Sequence, residues 1–112
     1  MLDARKNKVY ACIYKSDGKK VKKISKYLLL PLEELLKKTD KYDKVIFLGD
    51  ATSKPGLEIN FRSRIGCRAD WHPKAEVVAN LGMEYVKKKK FVKAEDLEPL
   101  YLYSHECDVT GK

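Results

Sequence analysis

Two short apolar runs constrain this chain most. Val9-Tyr10-Ala11-Cys12-Ile13-Tyr14 is apolar at both alternating sets of positions, the pattern of a strand covered on both faces and therefore interior to a sheet. Val45-Ile46-Phe47-Leu48 is continuously apolar and ends in Gly49-Asp50, as a buried parallel strand does after a crossover helix. That helix is legible between them. Pro31 stands at its first position, Glu33 and Glu34 follow early, and Leu32, Leu35 and Leu36 share one face. Lys37 and Lys38 come late, before an end near Thr39-Asp40. This charge order complements the helix dipole. With 112 residues the chain suits one α/β domain and is too short for two full cores.

The remaining elements fall around this unit. Met1 to Arg5 reads as a first strand, joined to the second by a tight turn in which Asn7 takes the left-handed conformation. Ser16-Asp17-Gly18-Lys19 is a second turn, feeding a third strand from Val21 to Leu29 whose lysines suit a solvent-facing edge. From Ala51 to Trp71 no periodicity survives, so this stretch is expected as a long loop. Pro73 opens an amphipathic helix with Ala75, Val78, Ala79, Gly82 and Val86 on one stripe and Lys87 to Lys90 at its end, where the dipole favours cations. A turn over 94–98, an extended 99–103 and a frayed tail over 104–112 complete the chain, leaving one lobe over residues 1–103.

The 24 basic and 16 acidic residues leave a net charge of +8, which suits an anionic partner. Twenty of the basic residues are Lys and four are Arg, whereas phosphate and base recognition favour the bidentate guanidinium. Residues 1–56 carry nearly all the excess, centred on Lys15, Lys19, Lys20, Lys22, Lys23 and Lys26. No run approaches the ~20 apolar residues of a membrane span. Three cysteines without Cys-x-x-Cys spacing, and no signal peptide, point to a reducing cytoplasm.

Three antiparallel strands, a helix, a parallel strand and a helix form the ribonuclease-H-like half from which each lobe of the actin-like ATPase fold is built. Leu2-Asp3-Ala4-Arg5-Lys6 with Val9-Tyr10-Ala11, then Phe47-Leu48-Gly49-Asp50, Pro73-Lys74-Ala75 and Leu97-Glu98-Pro99-Leu100-Tyr101-Leu102 resemble the second half of the TsaB (YeaZ) family. That family is the glycoprotease-like scaffold of the bacterial machinery that makes threonylcarbamoyladenosine in tRNA. The resemblance implies a non-catalytic lobe serving a TsaD-like catalytic subunit, with tRNA met indirectly and no cofactor of its own. The family's first lobe, with its Asp-Thr-Ser strand and Gly-rich loop, has no counterpart here, so a fragment is expected, with a former interface that a second copy could cover. The family ends its last motif Tyr-Leu-Arg, where this chain has Tyr101-Leu102-Tyr103.

On this resemblance Asp3, Arg5, Gly49 and Asp50 face a nucleotide cleft, in keeping with ligands gathering at the carboxyl ends of strands. Read plainly, Asp3 and Arg5 are a strand-end hydrogen bond and a surface charge, and Gly49-Asp50 is a turn. A rival reading is a stand-alone basic RNA-binding domain or a Mg²⁺-dependent nuclease, with Asp3, Asp50 and Glu33 or Glu34 gathering around two metal ions. Cys67, His72, His105 and Cys107 match no zinc-site spacing, and no hydrolase motif is present.

Overall fold

The computed structural model describes residues 1–60 and 62–103. They form two compact units, one of Met1–Trp71 with Leu102 and Tyr103, the other of His72–Tyr101.

In the first unit β1 (Leu2–Asp3), β2 (Lys8–Ala11) and β5 (Leu28–Pro31) form an antiparallel sheet in the order β1-β2-β5. The two-faced apolar strand is thus the interior one. Val9 pairs with Leu30 and Ala11 with Leu28 on one side, and Leu2 pairs with Tyr10 on the other. Val9 and Ala11 are buried on one face, while Tyr10 meets Tyr103 edge-on across the other, ring centroids 5.9 Å apart. The turn from β1 to β2 is tight, as expected, but left-handed over more than one residue. Arg5, Lys6 and Asn7 all take positive φ, not Asn7 alone, and the turn is closed by the Ala4 N–H on the Lys8 carbonyl at 3.1 Å.

Two strands are shorter than their apolar patterns suggest. The second stops at Ala11 and resumes as β3 (Tyr14–Ser16), and the expected 21–29 strand divides into β4 (Val21–Lys23) and β5. A side chain causes the break: Ser25 Oγ accepts the Ile13 N–H at 2.8 Å and donates to the Lys26 carbonyl at 2.8 Å. Its strand takes five steps from Lys23 to Leu28 where the partner takes three from Tyr14 to Ala11, a bulge that bends the ladder.

α1 (Leu32–Thr39) begins one residue later than expected, because Pro31 ends β5 with ψ 148° and serves as the cap. Leu32 and Leu35 bury against Val9, Ala11, Leu30 and Ala51, with Met1, Leu28, Leu36 and Leu57 packed around them. At the far end the buried Thr39 hydroxyl returns to the Leu35 and Leu36 carbonyls.

After this crossover, β6 (Val45–Phe47) runs parallel to β7 (Ser63–Ile65). The segment expected as a loop over 51–71 therefore holds a strand, together with 3-10 turns at Asp50–Ser53 and Arg68–Asp70. Three residues reading Ser-Arg-Ile are too few and too polar to register as a periodic signal.

The second unit carries α2 (Ala75–Lys87) and a 3-10 turn at Ala94–Asp96. Lys89 takes the left-handed conformation just past the helix, returning the Lys89 and Lys90 N–H groups to the Val86 and Tyr85 carbonyls; this is the lysine-rich end foreseen. No residue of α2 is buried, its Val78 and Val86 included. The chain is thus α/β, its described residues holding antiparallel and parallel strand pairs and two α-helices. Among the described residues no helix is long and apolar enough to cross a membrane. The tail expected over 104–112 lies outside the described residues.

Candidate functional site

Three of the four cleft candidates meet. The Met1 amino nitrogen donates to the Leu48 carbonyl, and the Asp3 N–H donates to Asp50 Oδ1 at 3.0 Å. Met1–Asp3 therefore runs beside Leu48–Asp50 in the same direction. Gly49 makes this approach possible: it takes φ 109°, and a Cβ on it would run into the Met1 backbone. The strand end then turns into the Asp50–Ser53 3-10 turn, which Thr52 Oγ1 fastens to the Gly49 carbonyl at 2.7 Å and Ser53 Oγ to the Asp50 carbonyl at 2.7 Å.

Lys54 belongs to the same cluster. Its Nζ lies 2.5 Å from Asp3 Oδ1, which also accepts the Arg5 N–H at 2.9 Å. The Lys54 ammonium first, and the Arg5 N–H second, hold the Asp3 carboxyl below the usual aspartate range. A carboxylate so stabilised is a poor proton acceptor at neutral pH. It latches the first hairpin to the 3-10 turn instead. The Arg5 residue contributes its main-chain N–H to this latch and is itself exposed. Sequence reasoning missed Lys54, since nothing local marks an ion-pair partner 51 residues away.

The downward shift has a sign in pH. The folded chain binds this proton less readily than the unfolded one, so the latch stabilises fully above the ordinary aspartate pKa of about 3.9 and fades as pH falls through the lower folded value. Asp3→Asn is expected to lower the urea midpoint at pH 7, and its difference from the parent to shrink as pH falls below the ordinary aspartate range.

Glu33 and Glu34 do not join Asp3 and Asp50. Both are exposed in the first turn of α1, and among the described residues no group of three His, Cys, Asp or Glu side chains gathers that could hold a metal ion. Cys12 and Cys67 are free thiols; His105 and Cys107 lie outside the described residues.

The basic cluster is a β3–β4 hairpin with every strand residue exposed. Asp17 Oδ1 accepts the Lys19 and Lys20 N–H groups at 2.9 and 2.7 Å, and Gly18 takes φ 88°. Lys15 stands directly opposite Lys22, while Lys23, on the other face by alternation, lays its ammonium 3.9 Å from the Tyr27 ring centroid. Lys19, Lys20 and Lys26 are exposed. Like charges directly opposite on a ribbon repel. Lys22→Glu is expected to raise stability by about 0.5 kcal/mol, read as a higher urea midpoint at low salt and a smaller gain at high salt.

No family model, curated protein or solved structure matches this chain.

Proposed function

We propose that this chain is a non-catalytic scaffold lobe of the TsaB kind, supporting a TsaD-like catalytic subunit in threonylcarbamoyladenosine modification of tRNA. One observation carries the reading: the parallel run of Met1–Asp3 against Leu48–Asp50. This contact supports an arrangement in which the β1-β2-β5 sheet lies next to the β6-β7 pair with α1 as the crossover, as a ribonuclease-H-like half would have it. The Asp3 latch supports a structural use of the first hairpin over a catalytic one. So does Tyr103, at the position where the family has arginine: its hydroxyl donates to the buried Ala4 carbonyl at 2.6 Å, tying the end of the last motif to the first hairpin.

The test is complementation in two pieces. In cells lacking TsaB, this chain co-expressed with the family's first lobe restores threonylcarbamoyladenosine, read by mass spectrometry of tRNA nucleosides, and the chain alone does not. A stable, folded chain that restores nothing in either setting overturns the assignment. The scaffold reading also expects weak ATP binding by calorimetry.

The exposed hairpin favours a second reading, direct RNA binding through Lys15, Lys19, Lys20, Lys22, Lys23 and Lys26. It expects micromolar affinity for tRNA at physiological salt, a steep decline with added salt, and a shallower decline in Lys22→Glu. The scaffold lobe shows none of these.

A further inference from the structure

The scaffold reading makes no use of α2. Eight of its 13 residues are apolar, more than a single core-facing stripe holds, and a helix that is apolar around most of its girth is one that something covers. Within its own unit nothing does. Val77, Val78, Leu81, Met83, Tyr85 and Val86 are between 51 and 56% exposed, and Phe91 and Leu97, which follow in the same unit, are more exposed still. A contiguous apolar surface of this kind marks an interaction site.

Two features of the helix identify the partner. The first is charge. Glu76 stands in the first turn and Lys87 in the last, followed directly by Lys88, Lys89 and Lys90; Glu84, also at the lysine end, is taken up by Lys88 at 3.2 Å. Two copies of α2 laid side by side in the same direction would crowd both lysine runs together. Laid in opposite directions, they bring Glu76 of each beside the lysine run of the other, with their dipoles opposed. The surface is therefore complementary to itself about a two-fold axis, the commonest symmetry of soluble oligomers. The second feature is Gly82, near the middle of the helix on the stripe of Ala75, Val78, Ala79 and Val86. It has no positive φ, and a Cβ on it would meet nothing within 4 Å. Nothing inside the chain thus calls for glycine, a poor helix former. Close approach of a second backbone does call for it.

We propose that α2 pairs antiparallel with α2 of a second copy of this chain, along the Ala75–Val86 stripe, with the two-fold axis between Leu81 and Gly82. The two backbones come closest where the side chains are smallest. Val78 of one copy lies level with Tyr85 of the other, and Glu76 with Lys87. The face covered is that of one short helix, so the dimer belongs to the weak, transient class. The inference uses α2 alone and is independent of the scaffold assignment.

The test is sedimentation equilibrium of the whole chain at rising concentration, after circular dichroism has verified its fold. The apparent mass is expected to climb from that of one chain toward that of two. Val78→Glu and Gly82→Gln are each expected to weaken association about tenfold or more. Glutamine is a better helix former than glycine, so the second variant keeps or raises helicity while it loses the dimer. Glu76→Lys and Lys87→Glu each set like charges against one another across the pair and are expected to weaken it about fivefold at low salt. An equimolar mixture of these two variants is expected to recover the parent affinity, since each charge then meets its opposite. A chain that stays monomeric at every concentration overturns the proposal, by assigning the α2 face to another cover. Association that Val78→Glu and Gly82→Gln leave unchanged overturns it, by placing the dimer elsewhere on the chain. Charge variants that recover nothing on mixing overturn it too, because the helices are then not antiparallel.

Discussion

Gly49→Ala is expected to cost the first unit at least about 3 kcal/mol and to separate its two strand systems. At φ 109° and ψ 169° the residue occupies a region open essentially to glycine alone. Strain of this kind is worth about 1–3 kcal/mol by itself. The added methyl would also overlap the Met1 carbonyl oxygen and lie 2.8 Å from the Met1 carbonyl carbon and 2.9 Å from its nitrogen. These are backbone atoms, so no rotamer change relieves the clash; β1 has to leave Leu48–Asp50. Gly18 and Gly56 provide the control. They share positive φ, 88° and 85°, yet nothing lies within 4 Å of a methyl placed on either. Their alanine variants should lose only the conformational term, about 1 kcal/mol. Urea midpoints of the three variants separate the effects. A Gly49→Ala protein as stable as Gly18→Ala would show that β1 does not lie against residues 48–50 in solution, and the observation carrying the scaffold proposal would fall with it.

That juxtaposition was only half legible in the sequence. The Gly49-Asp50 pair announces a strand end, and Asp3 announces a polar residue closing the first strand. Nothing in either segment says that they meet, because the pairing is set by how α1 returns the chain to the sheet. Elements with local causes were read well. Two-faced apolarity placed β2 inside its sheet, and Leu32, Leu35 and Leu36 with their flanking charges defined α1. Asp17-Gly18 defined the hairpin turn. Elements with distant causes were not. The division of the 21–29 strand depends on Ser25 reaching Ile13 across the ladder, and β7 exists because β6 offers it an edge. Lys54 enters the candidate site only once the 3-10 turn brings it back to Asp3.

Leu35→Ala is the second large effect expected, a loss of about 2–5 kcal/mol. The side chain is 3% exposed and sits at the centre of the cluster formed with Val9, Ala11, Leu30, Leu32 and Ala51. α1 has eight residues, well short of the roughly 12–15 at which an isolated helix begins to hold in water. Its persistence therefore depends on packing, and Leu32 and Leu35 are the apolar residues it buries. A domain of this size has about 5–15 kcal/mol in total, so the substitution removes a large share and should leave a visibly unfolded fraction at 37 °C by circular dichroism. Leu36→Ala, at a half-buried position on the same helix, should lose less. Glu33→Gln and Glu34→Gln should shift the midpoint by at most about 1 kcal/mol, the size of a dipole contribution at an exposed first turn. This contrast tests function as well as folding. Were the first turn of α1 part of a metal-dependent nuclease site, the glutamine variants would abolish magnesium-dependent RNA cleavage while leaving the midpoint nearly unchanged. The latch of Asp3 on Lys54, with no third carboxylate among the described residues gathered beside Asp50, leads to the opposite expectation: no such cleavage by the parent chain, and variants that differ from it only in the small stability term.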